Sequence, residues 1–62
     1  MDVWFANYDG YLWMTAAPHG EPPTVDPLRV TDGIASALKF VRQKGNKIVE
    51  VGICPPDMLG LE

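Results

Sequence analysis

His19 and Cys54, the one histidine and the one cysteine of this 62-residue chain, are the side chains best suited to reaction chemistry. An imidazole can move protons near neutral pH. A thiolate can attack or ligate a metal. Their settings support neither use. His19 lies in Pro-His-Gly-Glu-Pro-Pro, which reads as a mobile surface loop carrying a solvated ring. Cys54 ends an apolar run and reads as a small buried group. One imidazole and one thiol supply too few ligands for a zinc site. Gly33 and Gly45 are isolated, so there is no phosphate-cradling loop, and no Ser-His-Asp order has local support. The sequence therefore points away from an enzyme, and it implies no metal and no other cofactor.

The remaining chemistry is recognition. Five aromatic rings, Trp4, Phe5, Tyr8, Tyr11 and Trp13, fall between Val3 and Met14. Tryptophan and tyrosine are enriched at the energetic centres of protein interfaces. Net charge is -3. All the basic residues, Arg29, Lys39, Arg42, Lys44 and Lys47, lie in one segment, and the hairpin that carries the rings has none. Phosphate binding needs interleaved cations, so direct nucleic-acid binding is not expected. No apolar run approaches the roughly 20 residues of a membrane span, and no basic leader with an apolar core opens the chain. The single cysteine suits a reducing compartment. These features imply a cytoplasmic protein with no membrane partner.

Positioning those rings requires a fold. Residues 3–16 read as a hairpin around Asp9-Gly10, a pair that accepts the positive φ angles of a type I′ turn. A three-residue loop with a bulge at Gly10 is the alternative, and it would shift the second strand by one position. Residues 17–27 hold Pro18, Pro22, Pro23 and Pro27 and read as an irregular proline-rich connection. The spacing of Ile34, Leu38 and Val41 predicts a helix over 31–44. Residues 47–54 are β-branched and predict a third strand. Residues 55–62 have no period and read as a loose tail. The expected architecture is one small α+β domain, β-β-α-β, whose three-stranded antiparallel sheet has the order 2-1-3 and one helix on one face.

Alternation along the strands then divides the side chains. Val3, Phe5, Leu12, Met14, Val49, Val51 and Ile53 form the face toward the helix and make the core. Trp4, Tyr8, Tyr11, Trp13 and Ile48 fall on the other face. A partner, more than the proline-rich loop and the tail, is expected to cover them. The functional expectation is a small non-enzymatic, protein-binding regulatory or inhibitory module. It works as a homodimer, or against a larger nucleic-acid-handling complex, as phage and mobile-element inhibitors do. The rival classes are a nucleic-acid-binding module that uses the basic helix and a subunit of a small oligomeric enzyme.

Overall fold

A computed structural model describes residues 1–61. Two long strands, β1 (Asp2–Tyr8) and β2 (Tyr11–Ala17), form the hairpin. A short strand β3 (Leu28–Val30), the helix α1 (Ile34–Gln43) and a strand β4 (Glu50–Ile53) follow. A 3₁₀ turn over Pro56–Leu59 ends the described chain. The four strands make one mixed sheet of order β3-β2-β1-β4, in which β1 pairs antiparallel with β2 and parallel with β4. No helix among the described residues is long and apolar enough to cross a membrane.

The α+β class stands, but the three-stranded antiparallel sheet does not. The cause is the added strand. Asp26 precedes proline, which disfavours helical backbone there, so Asp26-Pro27 leads into extended chain and not into a helix. Leu28–Val30 then pairs antiparallel with Leu12–Met14. That extra traverse reverses the direction in which α1 leaves the sheet, and β4 returns parallel to β1.

The turn is the two-residue form. Asp9 and Gly10 have φ of 54° and 78°, and Tyr8 pairs with Tyr11. The other boundaries move for local reasons. Gly33 has φ 89°, which no helix can pass through, so α1 begins after it and not at Thr31. Gly45, at φ 86°, donates to Arg42 O and closes the other end. The last strand is confined to residues 50–53 because its partner runs out. Val49 still donates to Met1 O, and the Met1 ammonium donates to Lys47 O, but β1 offers no ladder beyond them.

Each face of the sheet has a cover. On one, Ala37 and Val41 of α1 pack on Val3, Phe5 and Met14, with Leu12, Leu38 and Ile48 at the margin. A helix of ten residues is about 15 Å long, and this one lies over β1 and β2. The expected core residues Val49, Val51 and Ile53 are therefore exposed, and Ile34 is too. On the other face, Leu59 seals Ala6 and Cys54 beneath the 3₁₀ turn, with Trp4, Trp13 and Leu61 around them. Residues 55–61 are thus structural and not a loose tail; Glu62 lies outside the described residues. Trp4 lies across Gly52, where an added Cβ would stand 2.6 Å from the indole Cζ3. Gly52→Ala should cost about 1–3 kcal/mol, as overpacking does. A urea melt followed by tryptophan fluorescence checks this, and an unchanged midpoint would refute the close packing.

Candidate functional site

Of the residues expected to meet a partner, four share the face opposite α1 and one does not. Ile48 packs on the helix-side core. Tyr8 and Tyr11 stand exposed at the hairpin end, where the Arg29 guanidinium sits 4.5 Å from the Tyr11 ring centroid. Trp4 and Trp13 are half-buried under the 3₁₀ turn. The Trp13 indole donates to Tyr8 O at 3.1 Å, and the buried Trp4 Nε1 has no partner among the described residues. The aromatic face is therefore largely closed from within the chain. Its open remainder is the tyrosine pair.

Cys54 is buried, and burial together with the Asp57 charge pushes its thiol pKa up. That opposes thiolate chemistry, in keeping with the expected apolar role. Two adjoining grooves of about 310 and 300 Å³, the first between β3 and α1 and the second between β2, the loop at Thr24 and Asp26 and the C-terminal end of α1, share Met14, Leu28 and Phe40. Neither is lined by histidine or cysteine; their polar groups include Arg29, Asp32 and Ser36 in the first and Thr24, Asp26 and Lys44 in the second. Two of the basic residues are held against rings, Arg29 over Tyr11 and Lys44 over Phe40. The basic segment therefore does not form one free stripe for phosphate.

His19 departs most from expectation. Pro18 to Glu21 form a turn closed by a hydrogen bond from Glu21 N to Pro18 O, with Gly20 at φ 84° in its third position. A type II turn requires a positive φ there. This turn aims Gly20 N at Asp2 Oδ2, 3.0 Å away, and His19 Nδ1 at Asp2 Oδ1, 2.8 Å away. Nearby, Thr24 shares a hydrogen bond with the buried Thr15 hydroxyl and holds the rest of the loop to the sheet. Asp2 itself is only 2% exposed. The His19 and Gly20 hydrogen bonds hold its carboxyl pKa below the usual range, and the carboxylate in turn raises that of His19. Since the carboxylate only accepts, the proton resides on Nδ1.

Glu50 completes the cluster. It stands opposite Asp2 in the parallel ladder, on the same face. Donor atoms of Asp2, His19 and Glu50 all lie within 4.8 Å of one another. Sequence reasoning missed this convergence because β4 was set antiparallel to β1, which separates positions 2 and 50. The Pro-x-Gly pattern at 18–20 was the available signal for an ordered turn.

The third feature is the outer edge of β4. Cys54 N donates to Phe5 O, and the register pairs Asp2 with Glu50 and Trp4 with Gly52. In a parallel ladder, bonded residues alternate with residues whose amide and carbonyl point away. Glu50, Gly52 and Cys54 face β1, so Val51 and Ile53 turn their backbone groups to the open side. Their side chains are 48% and 76% exposed, and Val49 beside them is 51% exposed. No protein-family model, curated protein or solved structure matches the chain.

Proposed function

We propose that the chain is a non-catalytic protein-binding module that pairs with a second copy of itself through β4. The observation that supports this is the coincidence, at Val51 and Ile53, of free backbone hydrogen-bonding groups with exposed apolar side chains. Exposed apolar edges are strong templates for strand addition. A two-fold axis through Gly52 sets Val51 against Ile53 of the partner subunit. Each such pair exchanges both backbone bonds, the two sheets become one of eight strands, and the four side chains form a single apolar strip. Within Glu50–Ile53 the edge carries no lysine or proline, and Val51 and Ile53 carry no charge. Association also stabilises a small fold by mass action.

The exposed Tyr8 and Tyr11 remain available to a second, different protein. Net charge of -3 favours a basic target, which fits the regulatory or inhibitory role proposed for the dimer. Val51→Lys and Ile53→Lys, at exposed positions, should leave the far-UV circular dichroism unchanged and reduce the sedimenting mass from dimer to monomer. A wild-type chain that sediments as a monomer at high concentration would overturn the self-pairing.

A further inference from the structure

We propose that Asp2, His19 and Glu50 form a binding site for a first-row divalent cation of the zinc class. The three side chains come from β1, the proline-rich loop and β4, and their donor atoms converge within 4.8 Å. Tetrahedral zinc with bonds of roughly 2.0–2.2 Å to nitrogen and oxygen separates neighbouring donors by little more than 3 Å. The 2.8 Å between His19 Nδ1 and Asp2 Oδ1 is already near that spacing, and Glu50, exposed and on a flexible stem, can close the rest.

Charge argues the same way. Buried Asp2 is already paired with His19 and Gly20 N, but the ladder sets a second carboxylate, Glu50, beside it. Like charges directly opposite in a sheet are destabilising. With a neutral imidazole the cluster holds two negative charges, which a divalent cation would balance. One nitrogen with two carboxylate oxygens selects zinc, cobalt, nickel or manganese over magnesium, which prefers oxygen and its own waters. Asp2 is preorganised by Gly20 N, while the exposed His19 and Glu50 leave a path for entry and room for water ligands. On binding, the metal takes the place of the proton between Nδ1 and Oδ1, and that proton leaves to solvent. Bound metal would tie the proline-rich loop to both β1 and β4, the kind of staple a chain this small can use.

The site shares no side chain with the proposed β4 contact at Val51 and Ile53, so either can fail alone. The test is calorimetric titration of the untagged, chelator-treated protein with zinc chloride, alongside thermal melts with zinc and with magnesium. Zinc should bind at one site per chain and raise the melting temperature, and magnesium should not. His19→Ala and Glu50→Gln should each weaken zinc at least about tenfold, since loss of even an outer-shell partner of a metal ligand costs about that much. Cys54→Ser should bind as wild type. Circular dichroism of Glu50→Gln, which leaves the Asp2 pair intact, separates loss of ligand from loss of fold. Absence of zinc binding, equal stabilisation by magnesium, or binding that survives both ligand substitutions would overturn the assignment.

Discussion

Leu59→Ala should abolish or nearly abolish folding. Leu59 is wholly buried and, with Leu61 at its margin, closes the sheet face carrying Ala6, Trp4 and Trp13. Truncating a buried leucine costs about 2–5 kcal/mol through lost transfer energy and the cavity left behind. A domain of this size is expected to have only about 3–5 kcal/mol to lose. The loss would also open the indoles to water, so tryptophan emission should shift to the red before any denaturant is added. A urea transition within a few tenths of molar of wild type would mean that the C-terminal turn decorates the sheet and does not hold it.

Phe5→Ala should be at least as damaging, from the opposite side. Phe5 is 1% exposed and lies where β1 meets α1, packed with Val3, Met14 and Val41. Removing a buried phenylalanine costs about 3–5 kcal/mol. Both variants strike β1 or its cover, so loss of one face should expose the other. Helical circular dichroism and tryptophan emission should therefore be lost in a single transition in wild type. Any partly folded remnant of either variant should lose both together. Separate transitions, with α1 melting apart from the indole signal, would show that the two small cores are independent.

Much of the helix-side core was legible because it rests on local rules. Asp9-Gly10 dictates the turn, the turn dictates the register, and alternation then assigns Val3, Phe5, Leu12 and Met14 to one face. The errors lie where long-range geometry decides. Three residues of β3 are too few to show a period, yet they reverse the chain and turn β4 parallel. Val49, Val51 and Ile53 look like core because they are β-branched and apolar, but the helix that would cover them is too short and sits elsewhere. Leu59 gives no periodic signal, since a single 3₁₀ turn has no repeat to detect. His19 and Asp2 are distant in sequence and are joined by a glycine turn whose aim no pattern specifies. Of the aromatic residues, the face of the tryptophans could be read, but their cover could not.

The parallel pairing of β1 with β4 bears on how the chain reaches its fold. A hairpin with a favourable turn forms in microseconds, so β1 and β2 can meet early. Asp2 must then wait for Glu50, and contacts so far apart in sequence slow folding relative to local ones. Until α1, β4 and Leu59 arrive, the hairpin has both faces bare and both edges open. This interval exposes the chain to misassociation over both faces of the hairpin, whereas the finished structure leaves open the β4 edge. Crowded expression would then draw out aggregates seeded by the hairpin, even where the folded protein is stable.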